Sequence, residues 1–265
     1  MIVDSTITLK SRFPSIKFGE VDFRCHTHPM ATATVKSSET DGLVLKVRVK
    51  DAESEAHARH VAEEIAEHVA QALTFEYSTF FRTPRVNETC TKKEDGSFSL
   101  GTTKRVAAAV QTCHLGLGPN APKEVKKVLE ETRTSGSEYY RLFHSALSLT
   151  DTISKFMVLY LILVILNDDE QKKVDRFVLS VEPCVATGPR YRERNNKLKD
   201  KRNEDEPTVR ETVYTRLRNE LAHRREDERG CRRSVESIEE AMKANMQGLI
   251  RIVKEAIRKG PQATP

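Results

Sequence analysis

The sequence predicts an α+β N-terminal domain followed by an all-α helical bundle. Three observations carry this. Apolar residues alternate with period two through much of the first fifty positions, and they recur at helical spacing from about residue 137 onward. A Gly- and Pro-rich segment separates the two regimes. The implied boundaries are an α+β domain over 1–118, a linker with a short helix over 119–136, and a helical domain over 137–260. Charged residues make up 31% of the chain, yet its apolar residues are gathered into periodic segments, which argues against disorder throughout. A chain of 265 residues is long enough for two modest cores.

In the first region, Ile7–Lys10, Ala31–Lys36 and Leu43–Val49 are rich in Val, Thr and Ile and read as strands. The run LVLKVRV places Leu43, Leu45, Val47 and Val49 on one face, and Thr40-Asp41-Gly42 makes a hairpin turn before it. A helix follows from Ala52 to Leu73, where Val61, Ile65, Val69 and Leu73 form a stripe. FEYSTFF, from Phe75, reads as a strand, Asp95-Gly96 as a turn, and RVAAAVQTC, ending at Cys113, as a further strand.

HLGLGPNAPK, from His114 to Lys123, marks the junction, and Val125, Val128 and Leu129 lie on a short helix after it. Ser135 with Glu138 forms a capping-box pattern ahead of a helical run from Glu138 to Leu166, which is either one long helix or two in tandem. Asp168-Asp169 starts a shorter helix that ends near Pro183. After a polar loop over Gly188–Pro207, Pro207 suits a helix start, where its missing N–H costs nothing. That helix runs to His223 with Val209, Val213, Leu217 and Leu221 as its stripe. The last helix, Ser234 to Arg258, turns Val235, Ile238, Met242, Met246, Leu249, Val253 and Ile257 inward.

Several function classes are excluded. The start, MIVDSTITLK, lacks the apolar region of a signal peptide. The longest apolar run, Phe156–Leu166, has eleven residues against the roughly 20 needed to cross a bilayer. A cytoplasmic protein with no membrane partner is expected. The five cysteines are scattered without a CxxC spacing, so neither a zinc site nor a disulfide framework is indicated, and no cofactor is expected. His60, Glu64 and His68 share a helical stripe that permits a metal ion. The stripe borders the apolar face and has no obvious fourth ligand, which makes that reading remote.

The chain carries a net charge of +5, and Pro189–Arg233 alone has 15 Lys and Arg against 10 Asp and Glu. The positive excess therefore sits in one stretch, as phosphate binding would use it. Arg190, Arg192, Arg194, Lys197, Lys199, Lys201 and Arg202 surround Tyr191, with Arg224 and Arg225 further on. Basic side chains around an aromatic suit a single-stranded RNA groove. A solvated loop has the same composition.

The segment RNELAH, Arg218 to His223, can carry chemistry. At about 100° per residue, Asn219 and His223 share one side of a helix, and Arg218 lies about 140° from His223. The face between them carries small residues, Thr208, Thr215 and Ala222, against which a two-fold mate or a phosphate can approach. Imidazole titrates near neutral pH and can take a proton from a ribose 2′-hydroxyl or give one to a leaving 5′-oxygen. A guanidinium offers forked donors to phosphorane oxygens. Equally, Arg218 and Glu220 can be surface charges and His223 a cation at a helix C-terminus.

Arg218, Asn219 and His223, on the penultimate helix of a C-terminal bundle, are similar to the R-x4-6-H signature of HEPN-domain proteins, often with Asn after the Arg. The resemblance covers roughly residues 137–258, and the α+β segment ahead of it looks like the ApeA/MauJ-like branch. It implies a homodimer with a composite site, metal-independent endoribonuclease activity on RNA, and a role in antiviral defence or as a toxin. It also implies an early-helix acid near the Arg, a role open to Asp151, which has Lys155 at i+4 as an ordinary ion-pair partner. The Tyr two residues after the His in one toxin branch is here Arg225. The N-terminal domain would sense a trigger or recruit a partner. A non-catalytic dimeric module that binds RNA or protein remains the competing expectation.

Overall fold

The structure, a computed structural model, describes residues 1–9, 15–38, 42–82, 86–92, 98–102, 114–116, 120–132, 137–190, 210–223 and 234–260. It divides into two compact units, Met1–Ser148 and Leu149–Pro265. An α+β unit is followed by a largely helical one.

The first unit is built on a six-stranded sheet. In chain order its strands are β1 (Ile2–Leu9), β3 (Val21–Phe23), β4 (Ala31–Ser38), β5 (Gly42–Val49), β6 (Val86–Lys92) and β7 (Phe98–Thr102), in the spatial order β3-β4-β5-β1-β6-β7. All its neighbours are antiparallel. The register sets Val3 opposite Val49, Ile7 opposite Leu45 and Leu9 opposite Leu43. Because side chains alternate along a strand, this puts the apolar set of β1, β4 and β5 on one buried face.

Helix α1 (Glu55–Tyr77) belongs to the same core, burying the expected Val61, Ile65, Val69 and Leu73. Ser54 caps it by accepting from the His57 amide at 3.0 Å. The strand expected over FEYSTFF is replaced by the end of this helix. Phe75 is buried and meets Tyr140 edge-on at 4.7 Å and Phe143 at 5.4 Å. Packing of this kind overrides the strand preference of aromatic residues. Ser78, left-handed at φ 53°, then stops the helix.

The expected junction is part of the first unit. Strand β8 (His114–Gly116) pairs in parallel with β2 (Ser15–Lys17). Helix α2 (Ala121–Glu131) buries Ala121, Val125 and Leu129 in the sheet's own core. Helix α3 (Glu138–Ser148), expected to open the bundle, also belongs here and buries Phe143, Ala146 and Leu147. The run to Leu166 is thus two helices, separated by residues 149–151. The boundary falls at Ser148 rather than over 119–136. Thr40-Asp41, Asp95-Gly96, Ser135 and RVAAAVQTC lie outside the described residues.

Two imidazoles inside this unit predict its pH dependence. His68 donates from Nε2 to the Leu129 carbonyl at 2.8 Å, and His144 to the Phe81 carbonyl at 2.6 Å. Burial holds both below the ordinary value of 6.5, against the raising effect of those bonds. The unfolded chain therefore takes up these protons first as the pH falls. Their stabilisation is full above about pH 6.5 and is lost progressively below it. Thermal melts through this window should show a falling midpoint, and a flatter profile in His68→Gln/His144→Gln. An equally steep profile in the double variant would assign the loss to other groups.

The second unit contains α4 (Thr152–Leu166), α5 (Gln171–Val181), a 3-10 turn (Pro183–Val185), β9 (Ala186–Arg190), β10 (Arg210–Thr212), α6 (Val213–His223) and α7 (Val235–Lys259). It is not purely helical. Strands β9 and β10 form an antiparallel ribbon with Arg210 opposite Arg190 and Thr212 opposite Ala186. The helix expected from Pro207 consequently starts at Val213; Pro207 and Val209 lie outside the described residues. The helix expected from Asp168 starts at Gln171, because Asp168 and Asp169 are left-handed, at φ 56° and 58°. Helix α7, capped by Ser234, buries Ile238, Met242, Met246, Leu249, Val253 and Ile257, whereas Val235 is exposed. Among the described residues no helix is long and apolar enough to cross a membrane.

Candidate functional site

Helix α6 carries the RNELAH segment. Thr212, the last residue of β10, caps it by accepting from the Thr215 amide at 3.4 Å. The inward face differs from the expected stripe: Tyr214, Thr215, Leu217, Asn219 and Glu220 are buried, while Val213 and Leu221 are partly exposed. Polar groups are thus carried into the interior, where each costs free energy unless it is hydrogen-bonded.

They are bonded. Asn219, 2% exposed, donates from Nδ2 to Glu211 Oε1 at 3.0 Å. Its Oδ1 accepts from Arg218 Nη1 at 2.9 Å. Only this orientation of the amide gives the carboxylate a donor and the guanidinium an acceptor. Glu211 is itself buried, and Arg218 is partly exposed. Alongside, Arg216 Nε donates to the buried Glu220 at 2.7 Å.

A second set of bonds lies next to the first. Asp175, fully buried on α5, accepts through one oxygen from the Thr212 amide at 3.0 Å, the Thr212 hydroxyl at 2.6 Å and the Thr215 hydroxyl at 2.7 Å. Tyr160 of α4 meets the Thr215 hydroxyl at 2.9 Å. Since the Thr215 proton goes to Asp175, the phenol donates to Thr215. Burial pushes Tyr160 up to about 12; Asp175 and Glu211 add to the rise, and the Thr215 bond and Arg218 oppose it. It stays protonated at neutral pH.

The expected residues fare differently. Arg218 and Asn219 are brought into direct contact. Asn219, however, faces inward, with its amide bonded to Glu211 and Arg218. His223 is the last residue of α6, four positions beyond Asn219, and its side chain lies outside the described residues. Thr215 is buried by its own bonds and does not form an open docking strip; Ala222 is exposed and Thr208 lies outside the described residues.

Asp151 requires correction. It is the exposed N-cap of α4, with Oδ2 accepting from the Ser154 amide at 2.6 Å, and those Ser154 bonds hold its carboxyl below the usual range. The acid bonded to the motif is Glu211. Arg190 lies on β9, with its side chain outside the described residues. Arg192, Arg194, Lys197, Lys199, Lys201, Arg202, Arg224 and Arg225 lie outside them altogether.

The sequence reading missed Glu211, Thr212, Tyr160 and Asp175. One signal was visible for Asp175: it occupies an apolar stripe between Val174 and Val178. The His60 stripe makes other bonds, with His60 3.5 Å from Glu64 and His68 on the Leu129 carbonyl. No group of three or more His, Cys, Asp or Glu among the described residues is arranged to hold a metal ion. No family model matches the chain, and comparisons with curated proteins and with solved structures find no match.

Proposed function

We propose that the second unit is a HEPN-type domain and that the protein is a metal-independent endoribonuclease acting as a homodimer. The observation that carries this reading is the Glu211–Asn219–Arg218 chain. Two buried polar side chains orient one partly exposed guanidinium, and an imidazole-bearing residue closes the same helix. A surface arginine serving only solubility has no need of such an arrangement.

In this reading Arg218 directs its forked donors at the phosphorane oxygens as charge accumulates on them. One His223 imidazole takes the 2′-hydroxyl proton, and the 2′-oxygen attacks phosphorus. The 5′-oxygen leaves with a proton from the protonated partner imidazole, yielding a 2′,3′-cyclic phosphate and a 5′-hydroxyl. The basic stretch around Tyr191 gathers RNA, and the α+β unit receives the trigger of a defence or toxin effector. A second copy has an apolar surface available on α4, where Leu161 and Ile165, one turn apart, are 47% and 39% exposed.

That same surface favours one other reading, a non-catalytic dimeric module that binds RNA or protein. Incubating RNA with wild type and His223→Ala in EDTA separates the two. Cleavage by the wild type with cyclic phosphate ends, reduced about 10²–10⁴-fold in the variant, supports the nuclease. Two inert proteins that bind RNA equally would leave only the binding module.

A further inference from the structure

We propose that Asp175 is a positioning residue for Arg218, acting through the junction between β10 and α6. The inference builds on the nuclease reading for its kinetic consequence, but not for its structural one. The starting point is a carboxylate with no exposure to solvent. Acidic groups in such places are retained at a desolvation cost, and apolar residues of the same volume often serve stability as well or better. An apolar residue at this place would leave the Thr212 amide and the Thr212 and Thr215 hydroxyls without this acceptor. What an acid supplies there is direction.

The direction is specific. One Asp175 oxygen collects the amide and the hydroxyl of Thr212 together with the hydroxyl of Thr215. Thr212 ends β10 and caps α6, so fixing both its donors fixes the backbone where strand becomes helix. The preceding residue is Glu211. With the Thr212 backbone held, the Glu211 carboxylate stands where Asn219 Nδ2 reaches it, and Asn219 Oδ1 in turn holds Arg218 Nη1. Helix α5 thus meets the continuous β10–α6 segment, some thirty residues further along the chain, and together they converge on the orientation of one guanidinium. A displacement of about 1 Å at a reacting centre can cost on the order of 10²-fold in rate, so a small turn of Thr212 is enough to matter.

The test uses the full chain with Asp175→Asn, Thr212→Val and Thr212→Ser. Asn keeps the shape of Asp175 but replaces one carboxyl oxygen with an amide NH2 that cannot accept. Val removes the Thr212 hydroxyl, and Ser restores it. In wild type, the Arg218 side-chain 15N signals, identified by their loss in Arg218→Lys, should show the slowed rotation of a hydrogen-bonded guanidinium. The expected result is loss of that signature in Asp175→Asn and Thr212→Val and its return in Thr212→Ser. For RNA cleavage, kcat should fall about 10–100-fold in the first two while KM stays within about 3-fold. An unchanged Arg218 signature in folded Asp175→Asn, or in folded Thr212→Val should the Asn variant not fold, overturns the proposal. If wild type cuts no RNA, the nuclease reading fails separately, and the Arg218 signature still decides the role of Asp175.

Discussion

Arg218→Ala is expected to slow RNA cleavage by about 10²–10³-fold, the cost of removing one donor from a charge-stabilising site. Its effect on melting should be small. The guanidinium is partly exposed, so its removal lets water reach the one acceptor that it leaves, Asn219 Oδ1. Arg218→Lys should recover little activity, because an ammonium supplies charge without the planar fork that both a phosphate and the Asn219 carbonyl match. Asn219→Ala should behave differently. It removes a donor from a buried carboxylate, so it should also cost about 1–3 kcal/mol of stability. Single-turnover cleavage set beside thermal melts distinguishes the two. Wild-type rates in Arg218→Ala would remove the guanidinium from the chemistry.

Gly248→Ala is expected to destabilise the second unit, although helix propensity predicts the opposite. Ala is favoured over Gly in a helix interior by about 1 kcal/mol. Gly248 of α7, however, lies against the Tyr214 hydroxyl, and an added methyl would run into it. The ring has little room to retreat: Tyr214 is 1% exposed, with Phe156 at 6.5 Å. Overpacking of this kind costs about 1–3 kcal/mol and outweighs the propensity gain. Tyr214→Phe in the same background removes the clashing oxygen and should restore part of the loss. Denaturant midpoints check this, and a Gly248→Ala protein more stable than wild type would show that α6 and α7 can shift apart freely.

How much could be read from the sequence depended on whether the governing interaction was local. The β4–β5 hairpin and the buried stripe of α1 were legible, because alternation and helical spacing are properties of neighbouring residues. The end of α1 was not. Phe75 and Tyr77 have strand preferences, and the aromatic contacts that hold Phe75 in a helix come from α3, more than sixty residues away. The start of α6 was misplaced for the same reason, since β10 exists only by pairing with β9 across the intervening chain. Asp151 was legible as an acid within a long helical run but not as the cap that starts a second helix there, which depends on the local backbone conformation.

The sequence by itself placed Arg218, Asn219 and His223 on one helix near the end of the chain, because their spacing is a matter of helical geometry alone. It could not decide which way Asn219 faces. That depended on Glu211, delivered by a strand whose partner lies some twenty residues upstream, and on Asp175, delivered by another helix. A buried polar side chain takes the direction of whichever donor or acceptor the fold brings to it, and only tertiary packing names that partner.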